Sequence, residues 1–272
     1  MQLKYILFIG LLWFSQTANA QNSNEELFQQ HNSAQAVNAS ISTNIIHVAK
    51  SFLGTPYVAN TLEGYVHEQL VVNLSEVDCT TFVECVLAIT RSSNYTDFKS
   101  ELQKIRYRQG QIVDYSSRLH YFSDWLYDNK QLGIIQDIDT NFQQSYYKKI
   151  DFMSTHPNSY PALAHNAELT EQMKTIEKQL SARQQYFIPQ DEIQANESKL
   201  QNGDVVAIVT NIVGLDVVHT GFIIFENGRA HLLHASSKKK KVVISDEPIV
   251  DILKLYKSRI GIMVARPVEI NN

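Results

Sequence analysis

Residues 77–87 read Val77-Asp78-Cys79-Thr80-Thr81-Phe82-Val83-Glu84-Cys85-Val86-Leu87. A small polar cluster opens an apolar run of helical period, which predicts a partly buried helix over 79–92 with Asp78 as its N-cap. Cys79 then sits in the first turn, where unpaired N–H groups and the positive end of the helix dipole favour thiolate over thiol. Such a sulfur is a candidate nucleophile; taken alone it is equally a core cysteine. Cys85 falls among Phe82, Val86 and Ile89 and reads as a small buried hydrophobe. The two thiols are almost two helical turns apart, beyond disulfide distance.

Upstream, residues 41–52 carry an apolar face of helical period, closed by Gly54 and Pro56. Gly54-Thr55-Pro56-Tyr57-Val58-Ala59 follows as an extended loop. Downstream, helices are expected near 96–107, near 118–127 with Arg118, His120 and Trp125, and over 167–185. Residues 133–161 carry no assignable period.

From Ile188 the text turns strand-like. Strands are expected at 203–209, 217–225, 229–236, 242–245 and 260–267, with a hairpin turn at Asn227-Gly228. Helices followed by an antiparallel sheet give an α+β chain of about five strands. That turn sets His219 opposite Ser236 or its neighbour and His234 opposite Gly221 or Thr220, at one end of the sheet. A base and its orienter need such proximity. His231 lies three before His234, faces the other side of the strand, and reads as structural.

The first twenty residues form a separate unit. Lys4, the apolar run 5–14 and Ala18-Asn19-Ala20 make a secretory signal cut after Ala20. The run is short for the competing membrane anchor, and no later segment is apolar enough to span a bilayer. The expected organisation is therefore a signal peptide over 1–20 and one domain over 21–272, with a helical elaboration at about 96–190. A formal net charge of -4 argues against a general nucleic-acid binder. The run Lys238-Lys239-Lys240-Lys241 lies between two strands and reads as a solvated turn. The histidines follow no metal-ligand spacing, so no metal site is expected.

Five segments, in order, resemble the NlpC-type papain-like cysteine peptidases. Asp78-Cys79-Thr80-Thr81-Phe82-Val83 looks like their Asp-Cys-Ser-Gly-Phe-Val signature, Gly54-Thr55-Pro56-Tyr57 like their Gly-x-Pro-Tyr loop, and Gly203-Asp204-Val205-Val206 like their Gly-Asp-Leu strand. His219-Thr220-Gly221-Phe222-Ile223 and Leu233-His234-Ala235-Ser236 match the two histidine strands. Thr80-Thr81 in place of Ser-Gly, and the long insert between nucleophile and base, are similar to the N-acetylmuramoyl-L-alanine amidase-like branch.

That resemblance implies a papain-like core with a helical insert and an exported cysteine hydrolase needing no cofactor. It would cut the amide between the muramic lactyl group, in an anhydro sugar, and L-alanine in peptidoglycan fragments. Cys79 would be nucleophile, His219 base and acid, and His234 orienter. Tyr57 would donate to the oxyanion beside the Cys79 N–H. Asp78 would touch substrate or serve only as the cap; Arg118 and His120 would grip substrate oxygens or belong to a salt-bridged helix surface. Two alternatives stand beside this: a D-glutamyl–diamino acid endopeptidase of the stem peptide, and a non-catalytic wall-binding module.

Overall fold

The computed structural model describes residues 23–270 except 66, 140 and 142. The expected signal segment lies outside the described residues.

Four helices come first: α1 over 23–32, α2 (Ile41–Ser51), α3 (Cys79–Thr90) and α4 (Tyr95–Arg106). Side chains start three of them. Ser40 accepts from the Thr43 amide, Asn94 from those of Thr96 and Asp97, and Asp78 from that of Thr81. At α3 the cap is reciprocal, since the Asp78 amide donates to Thr81 Oγ1 at 2.8 Å.

The middle of the chain contains α5 (Phe122–Gln131), β1 (Ile135–Asp137), β2 (Gln144–Tyr146), α6 (Phe152–Thr155), α7 (Ala167–Ser181), β3 (Gln185–Pro189) and α8 (Ile193–Asn196). The C-terminal part contains β4 (Val205–Thr210), β5 (Val217–Glu226), β6 (Arg229–Ser236), β7 (Lys241–Ile244), α9 (Ile249–Lys254) and β8 (Arg259–Pro267).

The strands form one open antiparallel sheet of eight in the order β2-β3-β8-β4-β5-β6-β7, with β1 also paired to β8. The chain is α+β, with eight strands where five were expected. The added β1, β2 and β3 are three to five residues long and two of them are largely exposed. Strands so short and polar leave no alternation to read, and partners distant in sequence define them. The β5–β6 hairpin turns at Asn227 (φ 52°) and Gly228 (φ 78°), the paired positive φ angles of a type I′ turn.

Two cores sandwich the sheet. On one face α2 and α3 pack through Phe52, Phe82 and Phe222, whose rings meet edge-on at 5.8 and 5.7 Å. On the other, Ile208, Ile223 and Ile262 meet Ile249 and Leu253 of α9. Each such fully buried side chain contributes roughly 1.5–3 kcal/mol. Beneath the first face an ion pair, Arg106 Nε to Glu84 at 2.7 Å, is almost completely enclosed.

One helix begins later than expected. Residues 118–121, read as the start of a helix, form an extended connection before α5. Asp114 caps a short turn over Tyr115–Ser117, Arg118 bridges Tyr107, and the Leu119 amide donates to Arg106 O at 3.0 Å. Backbone groups engaged laterally in this way cannot enter a helix.

Candidate active site

Cys79 is the first residue of α3, half-buried in the wall of a cavity of about 160 Å³. Thr80, His120, Phe122, Trp125, Asp216, His219 and Thr220 share its walls. The backbone amide of Thr220, the residue after His219, donates toward the sulfur. Burial and the Asp78 carboxylate nevertheless push the thiol up to about 11, against the helix-terminus effect expected from sequence. Cys85, by contrast, is enclosed in the core.

His219 lies opposite Ile208 on β4, and its Nε2 is 2.6 Å from Nδ1 of His234 on β6. The two rings stand perpendicular, centroids 4.8 Å apart. The hairpin register, fixed by Phe222 opposite Leu233, brings His234 beside Gly221. A Cβ at Gly221 would stand 2.9 Å from His234 Cβ and 2.7 Å from Leu233 O, so only glycine admits this approach. Burial pushes His219 down to about 3, with His234 and then Arg259 adding to the effect. Burial, followed by Arg259, lowers His234 to about 4. Burial therefore favours the neutral forms of the thiol and of both imidazoles.

Tyr57 approaches from the loop after α2. That loop is bonded on both sides: the Tyr57 amide donates to Lys240 O at 3.0 Å and the Val77 amide to Pro56 O at 3.0 Å. Burial, then the Cys79 and Asp78 charges, push the Tyr57 hydroxyl up to about 12, so it remains a donor. Asp78 Oδ1 accepts from the amide and the hydroxyl of Thr81, at 2.7 and 2.9 Å, and so serves the cap.

His120 faces the cavity with Nε2 2.8 Å from Tyr115 O, so Nε2 carries the proton and Nδ1 is an acceptor. Burial, then the Arg118 charge, lowers its pKa to about 3. Arg118 itself is not brought into the cavity. Its fork is engaged by Glu63 at 2.8 Å and Glu68 at 2.9 Å, and it holds those two carboxylates together.

A family model described as N-acetylmuramoyl-L-alanine amidase-like matches residues 47–262, which hold every candidate above. The chain belongs to the N-acetylmuramoyl-L-alanine amidase-like family. Solved structures agree with that membership. An N-acetylmuramoyl-L-alanine amidase from Bacteroides uniformis is 39% identical with a TM-score of 0.81, covering 84% of this chain and 98% of that one. A Bacteroides fragilis protein described as a xylanase is 42% identical with a TM-score of 0.77, covering 80% and 98%. A Legionella pneumophila protein shares the fold at 21% identity, with a TM-score of 0.68 over 93% and 95% of the two chains. No match was found among curated proteins.

In this family member several cavity residues had no sequence signal. Phe122 and Trp125 stack at 5.4 Å on the first turn of α5, and Leu215 and Asp216 come from the β4–β5 connection. Both Asp216 oxygens accept backbone amides at 2.8 Å, from Ser123 and Val217. An aromatic pair three positions apart would have marked α5 as a wall only if its start had been read correctly. Among the described residues no group of three His, Cys, Asp or Glu is arranged to hold a metal ion, and no helix is long and apolar enough to cross a membrane.

Proposed function

We propose that the protein is an exported cysteine amidase with a papain-like, NlpC-type core. It hydrolyses the amide between the lactyl group of N-acetylmuramic acid, in its anhydro form, and L-alanine in peptidoglycan fragments. The observation that carries this reading is that His219, bonded to His234 at 2.6 Å, shares the walls of one cavity with Cys79. Membership of an amidase-like family supports the bond type, and the signal-like pattern of residues 1–20 supports export.

Either ring can carry the shared proton of this hydrogen bond. The mechanism uses the tautomer in which His219 Nε2–H donates to His234 Nδ1, leaving His219 Nδ1 as the base for the thiol proton. Proton transfer turns this bond into a charge-assisted one, stronger than its neutral form. Because the resting thiol is held up near 11 and the imidazole down near 3, thiolate forms as the sulfur attacks, not beforehand. Attack on the lactyl carbonyl gives a tetrahedral oxyanion, with the Cys79 N–H and the Tyr57 hydroxyl as donors. Collapse expels the L-alanine amine with the proton from His219, leaving a thioester that water, deprotonated by the same imidazole, hydrolyses. His120 offers an acceptor to a substrate N–H or O–H, and Asp78 keeps α3 in place through its cap.

A glycosidase chemistry, as the xylanase description of one relative would require, needs two carboxyl groups flanking the bond. The cavity has one, Asp216, with both oxygens occupied. The test is mass spectrometry of products from defined anhydromuropeptides, with the wild-type protein and Cys79→Ala. Free L-alanine-terminated peptide plus intact amino sugar, abolished in Cys79→Ala, is the expected result. A new diamino-acid terminus would move the cut into the stem peptide. Undiminished turnover by Cys79→Ala would sink the thiol mechanism, and binding without turnover by the wild type would leave a wall-binding module.

A further inference from the structure

His219 stands between two clefts of opposite character. On the Cys79 side the walls are apolar and aromatic, with Leu119, Phe122, Trp125 and Leu215. On the far side a larger cleft of about 480 Å³, also touching His234, is lined by Lys238, Lys239, Lys241 and Arg259 against Asp246 and Glu247. Lys239 is paired with Asp246 at 2.8 Å. Among the described residues no ion pair involves Lys238, Lys241 or Arg259. The guanidinium of Arg259 is held in place all the same: Nη1 donates to Ile252 O at 3.0 Å, and the group lies 4.0 Å over the Tyr256 ring. A half-buried, immobilised guanidinium without a counter-charge is built to receive an anion, because its ordering cost is already met.

The chemistry fixes which part of a substrate lies there. In acyl transfer the base that takes the thiol proton returns it to the leaving amine, so that amine must lie within hydrogen-bond reach of His219. The acyl group lies over the sulfur, and the chain beyond the amine continues past the imidazole. We propose that the cleft beyond His219 is the subsite for the leaving peptide, with Arg259 and Lys241 receiving its carboxylates. This rests on the amidase reading and assigns the two halves of the substrate. The sugar and lactyl group lie against the aromatic wall, and the acidic stem peptide lies against the basic one. Arg259 is thereby a specificity-determining residue that favours peptides bearing free carboxylates.

Calorimetry on Cys79→Ala protein tests this without turnover, using free L-Ala-γ-D-Glu-diaminopimelic acid and the same peptide with its carboxylates amidated as probes. The acidic peptide is expected to bind about tenfold or more tightly than the amidated one, as for the gain of one charge-assisted hydrogen bond. Arg259→Gln is expected to erase most of that ratio. Lys241→Glu, on an exposed strand position, is expected to lower it with the fold intact. Equal binding of the two peptides, or a ratio untouched by both substitutions, overturns the assignment. If the acidic peptide binds selectively while no muropeptide is cleaved at the lactyl bond, the amidase reading fails and the basic subsite stands. If cleavage occurs at that bond with no preference for carboxylates, the subsite alone fails.

Discussion

Gly221→Ala is expected to part the two imidazoles while leaving the sheet folded. The new Cβ would lie 2.7 Å from Leu233 O and 2.9 Å from both His234 Cβ and Leu232 Cδ1. Ordinary contact needs about 3.5–4 Å, so β6 must retreat locally by roughly 0.6–1 Å. A His219–His234 bond of 2.6 Å would then stretch past about 3.2 Å, where it holds little orientation. Overpacking of this kind costs about 1–3 kcal/mol, less than the roughly 5–15 kcal/mol net stability of a folded protein. The misplaced base is worth more to the reaction. A displacement near 1 Å lowers turnover by about 10²-fold, more in kcat than in KM, because the aromatic wall and Arg259 lie on elements other than β6. Urea unfolding, steady-state cleavage of a defined anhydromuropeptide and nitrogen NMR of the imidazole rings would be read on the same preparation. A folded Gly221→Ala protein with wild-type kcat would refute the claim that His234 positions His219.

Two further expectations concern the fold. Arg106→Met strands the buried Glu84 carboxylate and is expected to cost about 3–5 kcal/mol in urea unfolding; adding Glu84→Leu should recover most of it, and no recovery would mean that packing, not charge, is at stake. His31, stacked on Phe52 at 3.7 Å, is pushed by burial down to about 4, below its ordinary 6.5. The stability from keeping this ring neutral is present above pH 6.5 and is lost as pH falls toward 4. His31→Phe should therefore reduce the loss between pH 7 and pH 5 by about 2 kcal/mol, at 1.36 kcal/mol per unit; an identical loss in both proteins would contradict it.

The parts legible in the sequence were those specified locally. Asp78 with Thr81 announces the start of α3, Asn227-Gly228 turns the β5–β6 hairpin, and apolar, β-branched runs mark strands such as β4, β5 and β8. The hairpin also carried long-range information, since a two-residue turn fixes register and hence brings His234 beside Gly221. What stayed hidden depends on partners far away. β1 and β3 exist because β8 offers an edge, and the extended path of 118–121 exists because Tyr107 and Arg106 bond it laterally. The electrostatics were hidden for the same reason. Position at a helix start favours thiolate, but burial of the sulfur and the neighbouring Asp78 carboxylate outweigh that preference. Arg259 reaches the imidazoles only through the way β8 begins under α9, which no spacing in the chain reveals.

The loop carrying Tyr57 ties the two ends of the site together by backbone bonds: Gly54 donates to Val242 O, Val242 to Thr55 O, and Tyr57 to Lys240 O. It fastens the sulfur's immediate neighbourhood to the outermost strand, whose own seat depends on β6 and, through β5 and β4, on the C-terminal β8. A nascent polypeptide whose β8 has not yet joined the sheet has no such seam to close. The surroundings of Cys79 would then be completed late, as an all-or-none property of the folded sheet.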